Sequence, residues 1–329
     1  MPVIESKTIT EQISILKSRN LKIEDVSFAS SILERKNYYN IINAFKEPFL
    51  DTTYRRTSDS DPIEKYKDNT TFEELYSLYK FDIELRNLFL KYILIFENEF
   101  KTKVSICLSQ SFHAAPYFND NIYDKNKHDA WKEIPRIKDT IANIIKRKGN
   151  IMIDHFVDKG DLVPTWALFN TFDFGNIRTF YKYLCESVRI KVANLYGLNP
   201  KKLDTMLSDI NMFRNVCAHN NRVYNYKIND YSKEISNTNI HSNMCIERYS
   251  STNKYKSGKN DLFSVVICFR YLLSEEDFAE FFRCIDIAIN QLNDIISVVN
   301  VDDILNMMGF PLHSASGQKD WKDILTIAK

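Results

Sequence analysis

Glycine and proline are scarce in this 329-residue chain, seven and eight residues respectively. That leaves too little turn chemistry for a many-stranded β protein. No CxxC pair occurs among the six cysteines, so neither a zinc framework nor a disulfide scaffold is expected. Cys107, Cys185, Cys217, Cys245, Cys268 and Cys284 sit mostly in apolar helical runs and read instead as buried thiols of a reducing cytoplasm. An excess of either charge is also missing: 44 Lys and Arg face 43 Asp and Glu, a net charge of +1. Bulk attraction to nucleic acid is thereby excluded, and any such contact must come from a local patch. No basic start leads into an apolar run, and no eighteen uncharged apolar residues follow one another. A soluble, non-exported protein with no membrane contact is expected.

What the chain does have is helical periodicity. Ile9, Ile13 and Leu16 open an N-terminal lobe of three short helices over about residues 1–60. The segment 51–70 has no apolar period and reads as an exposed loop. From Thr71, apolar residues such as Phe72, Leu75, Leu85, Phe89, Tyr92, Phe96 and Phe100 recur at three and four positions. They predict one long helix to about Leu108, broken at most once. Further helices are expected to end at Lys146-Arg147-Lys148 and to span 165–184, 187–196, and from Asn199-Pro200 through Arg214 to His219. Residues 220–260 are polar and predict an ordered loop or small hairpin inserted after the motif helix. Helices follow over 261–273 and 275–299, and a tail, 301–329, packs as a last helix. The main domain thus covers 71–300.

The most distinctive string runs from Phe213 to Asn225, FRNVCAHNNRVYN. It brings an always-cationic arginine, an amide and a titratable imidazole within six residues at a predicted helix end. Arginine can hold a phosphate through two parallel hydrogen bonds, and histidine moves protons near neutral pH. This is enough to cleave RNA without a metal. Five residues of helix turn through about 500°, leaving Arg214 and His219 about 140° apart. A cleft shared by two copies of the helix would collect both, which makes a homodimer part of the expectation. The bland alternative is a surface cap and a satisfied histidine.

The string resembles the RN-xx-AH-xx-R-x-x-N signature of abortive-infection Abi proteins of the AbiD/AbiF type, in the HEPN superfamily of helical ribonucleases. The segments TEQISILKSRNLKI, ILERKNYYNI, FEELYSLYKFDIELRNLFLKYILIFENEFK and VPTWALFNTFDFGNIRTFYKYL stand in the family's order, so the likeness extends over about residues 8–300. It implies an all-α HEPN-type bundle with Arg214, Asn215 and His219 as catalytic residues and no cofactor. The substrate's 2′-hydroxyl would attack the adjacent phosphorus, giving a 2′,3′-cyclic phosphate. It also implies a cytoplasmic toxin whose RNA partners include a small noncoding antidote. A tyrosine two residues after the histidine would mark control by adenylylation, and Asn221 stands there instead. A non-catalytic RNA-binding scaffold is the alternative from a different class.

Glu97 matches an acidic position of the long helix. It either orients Arg214 or His219 from behind or forms an ion pair that only fixes packing. Two readings also remain for Arg222, Tyr224 and Asn225: lining the cleft, with Tyr224 stacking on a base, or local turn contacts. Lys146, Arg147 and Lys148, Lys201-Lys202, and Arg248, Lys254, Lys256 and Lys259 are candidates for tracking an RNA backbone, or simply solvated charge. Trp166, Phe172, Phe174 and Gly175 match the family but suit packing better than chemistry. His113, His128, His155, His241 and His313 have no metal-ligand spacing and receive no role.

Overall fold

The computed structural model describes residues 7–58, 60–230, 234–235 and 237–328. Parts of the 51–70 loop and of the polar 220–260 stretch therefore lie outside the described residues. The chain is all-α, and among the described residues the only β contacts are isolated bridges.

Helices α1 (Ile9–Ser18) and α2 (Val26–Arg35) pack together as the N-terminal lobe, each started by a side-chain cap, Thr8 and Asp25 respectively. A π-helical turn, Tyr39–Asn43, then lays the lobe against α3 (Phe72–Phe112). The 51–70 loop is less exposed than its polarity implies. Tyr66 is buried and bridges to Leu50, while Glu64 holds Arg19 and Lys46.

Helix α3 begins at a capping box between Thr71 and Glu74 and continues unbroken for 41 residues, about 60 Å. It passes the expected end near Leu108 because nothing helix-breaking stands before His113, whose φ of 74° closes it. Glu74 also accepts bonds from the Ser297 and Val298 amides, tying the helix start to the far end of the bundle.

Next come α4 (Ala130–Lys146) and α5 (Ile151–Asp158). The expected helix 165–184 is two helices, α6 (Thr165–Phe169) and α7 (Phe174–Tyr183). Asp173 divides them by accepting the Asn176 amide as a new N-cap. Helices α8 (Glu186–Asn194) and α9 (Pro200–Ala218) follow. After the polar stretch and the one-turn α10 (Asn239–Asn243), α11 (Leu262–Leu272) is buried along its whole length. Helices α12 (Glu275–Asn293) and α13 (Val301–Met307) complete the bundle.

Central α3 packs on α12, α9, α6 and α8. Aromatic rings fill the seams: Phe89 and Tyr92 meet Phe269 and Phe281 with centroids 5.2–6.5 Å apart, distances at which aromatic pairs attract. Trp166 is half exposed, whereas Phe172 and Phe174 are buried, the packing role expected of them. All six cysteines are free; Cys107, Cys217 and Cys268 are buried, but Cys245 is exposed in a left-handed turn, contrary to a uniformly buried set. No helix among the described residues is long and apolar enough to cross a membrane.

Candidate active site

The motif sits where α9 stops. Asn199 caps its start by accepting the Lys202 amide, with Pro200 in the first turn, where a missing N–H costs nothing. At the other end Asn220 adopts φ 61°. The Asn221 amide donates to the Val216 carbonyl and the Asn220 amide to Cys217, the two bonds of a Schellman stop. His219 is therefore the C-cap residue, with its imidazole exposed, and exposed Asn215 lies one turn before it.

Arg214 is half-buried. Its Nε is enclosed yet has no hydrogen-bond acceptor, and no carboxylate lies in ion-pair range among the described residues. A guanidinium held without a counterion, five residues before an exposed imidazole, has its terminal nitrogens available for an incoming anion.

The segment after the motif is fixed from α3. Asp82, fully buried, accepts the Val223 and Tyr224 amides on one carboxylate oxygen, both at 2.8 Å, and its other oxygen lies 3.3 Å from Arg86 Nε. Arg86 also donates to Asn220 Oδ1 at 2.7 Å, holding the left-handed residue of the helix stop. Burial pushes the Asp82 carboxyl above its ordinary range, opposed by the two amides and Arg86. Neither residue was singled out from sequence. An acid and a base four apart within the apolar stripe of Leu78, Phe81, Leu85 and Phe89 is the signal that could have found them.

The structure decides between the open readings. Tyr224 cannot stack on a base: its ring is fully buried against Phe45, 5.7 Å away and nearly parallel. Arg222 is half-buried and donates to the Ala44 carbonyl, and Asn225 reaches Glu47 at 3.3 Å. All three join the motif turn to the N-terminal lobe. Glu97 orients neither Arg214 nor His219. It is buried on α3 with Lys101 at 2.6 Å, an ion pair within one helix that serves packing.

The basic candidates separate as well. Lys146 and Arg147, at the end of α4, have no partner among the described residues, while Lys148 pairs with Asp158 at 2.6 Å. In the 248–259 loop, Lys254 and Lys259 share Glu234, Lys256 pairs with Glu247, and Arg248 lies over the Tyr255 ring. Each lysine of that loop thus has a carboxylate partner, although four cations there face two carboxylates. The loop forms an antiparallel bridge between Arg248 and Tyr255. His241 is buried, with Nε2 at 2.7 Å from the Gly258 carbonyl and Nδ1 at 2.8 Å from Thr238 Oγ1, and burial lowers its pKa to about 4. It is a neutral structural histidine.

The class is thus an all-α bundle that presents an arginine, an asparagine and a histidine at the closed end of one helix. A family model described as Abi-like protein matches residues 31–225, more than half of the chain, and the chain belongs to that family. The match runs from α2 through the motif to Asn225, so it contains Asp82, Arg86, Arg214 and His219 and leaves out α11–α13. No curated protein and no solved structure matches the chain.

Proposed function

We propose that this chain is a metal-independent RNA endonuclease toxin of a bacterial abortive-infection or toxin–antitoxin system directed against phage, acting in the cytoplasm. The observation that carries the reading is Arg214: a half-buried guanidinium without a counterion among the described residues, five residues from an exposed histidine, inside the region matched by the Abi-like family. It is built to receive a phosphate.

The substrate's 2′-oxygen attacks the adjacent phosphorus while losing its proton to an imidazole. The O2′–P bond forms, the P–O5′ bond breaks, and an imidazolium returns a proton to the leaving 5′-oxygen. Arg214 balances the charge of the pentacoordinate phosphorane, with Asn215 as a neutral donor beside it. The products are a 2′,3′-cyclic phosphate and a 5′-hydroxyl. Because Arg214 and His219 diverge around α9, two chains related by a twofold axis would supply both residues twice, one imidazole as base and the other as acid. A structured noncoding RNA restrains the toxin, contacting cations such as Lys146 and Arg147.

Incubation of purified protein with single-stranded RNA in excess EDTA tests the chemistry. Cleavage to cyclic-phosphate ends is expected, with His219→Ala lowering the rate by roughly 10²–10⁴-fold. Arg214→Lys should also fail, since a point charge does not reproduce a planar two-point clamp. RNA binding without cleavage, unaltered by His219→Ala, would make the protein a scaffold instead.

A further inference from the structure

Beside the motif turn lies a cleft of about 340 Å³ between the π-helical turn of the N-terminal lobe and the Asn220–Arg222 segment. π-Helical turns are rare and concentrate at functional sites. This one presents Tyr39, 66 % exposed, together with Asn40 and Asn43 on the cleft wall. Asn221 faces them from the motif side. Among the described residues, none of the three amide side chains is hydrogen bonded within the chain, although each carries two donor hydrogens and an acceptor oxygen.

Free amides offer the paired donor and acceptor that a nucleobase edge requires, and an exposed phenol ring is a platform on which an unpaired base stacks. The cleft holds two guanidinium groups, Arg86 and Arg222, against the single carboxylate of Asp82, a formal excess of one positive charge. That sign suits a base attached to phosphates. The volume suits one planar base and is too small for a base pair in a helix. Asn221 is two residues from His219, at most about 7.6 Å between Cα atoms, so the cleft is adjacent to the proposed chemistry. Both walls lie within the region matched by the Abi-like family.

We infer that this cleft seats the unpaired base next to the scissile phosphodiester, and that Tyr39, Asn40, Asn43 and Asn221 decide which base is accepted. The location of the phosphate rests on the ribonuclease reading above; the base-binding character of the cleft rests on its own residues. The lobe and the motif turn together would thus set sequence preference, with Arg214 and His219 indifferent to it.

The test uses short fluorescein-labelled single-stranded RNAs, identical except for one base varied at each position in turn. Two readouts are taken: kcat/KM for cleavage by the active protein, and binding anisotropy with the His219→Ala protein. The expected result is a preferred base at one position next to the cut, with the ratio of best to worst base falling about tenfold in Asn40→Ala combined with Asn43→Ala. Tyr39→Ala should lower the affinity, and Tyr39→Trp, which keeps the platform, should restore it. Cleavage with an unchanged base preference in every variant would overturn the cleft while leaving the ribonuclease intact. Selective binding lost in the variants without any cleavage would support the cleft and remove the ribonuclease. Neither binding nor cleavage of any RNA would overturn both.

Discussion

Two arginines lie close to the same helix stop and are treated in opposite ways. Arg86 is buried and engaged on both sides, by Asp82 at 3.3 Å and by Asn220 at 2.7 Å. Arg214 is half-buried, and no acceptor meets its enclosed Nε. One guanidinium is surrounded with carboxylate and amide oxygens and the other is left without them among the described residues; on the function proposed above, the first holds the turn and the second awaits a ligand. The same division separates Tyr224, sealed against Phe45, from Tyr39, open on the cleft.

Removing the clamp should have the largest effect. Asp82→Ala would leave Arg86 buried without a counterion and two main-chain amides without their acceptor, so a loss of about 3–5 kcal/mol is expected in urea denaturation. His219→Ala removes an exposed side chain with no partner among the described residues and should stay within about 0.5 kcal/mol of wild type. Comparable losses in the two variants would erase the distinction between holding and working residues.

A smaller effect is expected from the buried acid of α9 itself. Asp204 meets Arg189, whereas Asp209, completely buried, has among the described residues only the Ser264 hydroxyl at 3.0 Å and the Cys268 thiol at 3.8 Å. Burial first, and the nearby Asp261 carboxyl in addition, hold Asp209 well above the ordinary carboxylate range. The folded chain keeps a proton that the unfolded chain releases near pH 3.8. Its contribution is therefore complete below that pH and is lost as pH rises through the folded value. Asp261, raised to about 7 by burial, acts in the same direction, while His241, lowered to about 4, loses its contribution as pH falls from 6.5. Asp209→Asn keeps an acceptor for Ser264 and carries no charge. Its stability relative to wild type should rise as pH increases above the ordinary carboxylate value of 3.8, by about 1.4 kcal/mol for each pH unit over which wild-type Asp209 stays protonated. A constant difference above that value would mean that the carboxyl does not hold its proton.

The helices were legible in sequence because each has a local cause: apolar spacing on α3, Asn199-Pro200 at the start of α9, Asn220 at its stop. Where a cause was missed, a boundary moved, as when Asp173 split the expected 165–184 helix. The motif's position at a helix end was legible too. The burial of Tyr224 was not, because its packing partner Phe45 lies far away in sequence and on the other lobe. Glu97 kept two readings open for a related reason. Its partner Lys101 is four residues along, a spacing that periodicity records but does not distinguish from a contact with α9. The cleft was hidden because part of its wall comes from a π-helical turn, whose i to i+5 pairing has no simple sequence signature.

The smallest expected effect concerns surface charge and extends the comparison to the basic patches. Lys254 and Lys256 already have carboxylate partners in Glu234 and Glu247, at 3.2 and 2.8 Å, while Lys146 and Arg147 have none among the described residues. Exposed pairs of this kind contribute about 0–1 kcal/mol each, so neither Lys254→Gln with Lys256→Gln nor Lys146→Gln with Arg147→Gln should change stability by more than that. Their effects on RNA affinity should differ. Each phosphate neutralised on a single strand adds about 0.7 to the slope of log affinity against log salt. Losing Lys146 and Arg147 should therefore flatten that slope by up to about 1.4. The compensated pair changes it less, because a lysine that leaves its glutamate exposes an anion beside the phosphate it meets. Titrations of a structured RNA across a salt series decide the matter: equal flattening in both double variants would show that an ion pair within the chain does not separate bystander cations from those that meet RNA.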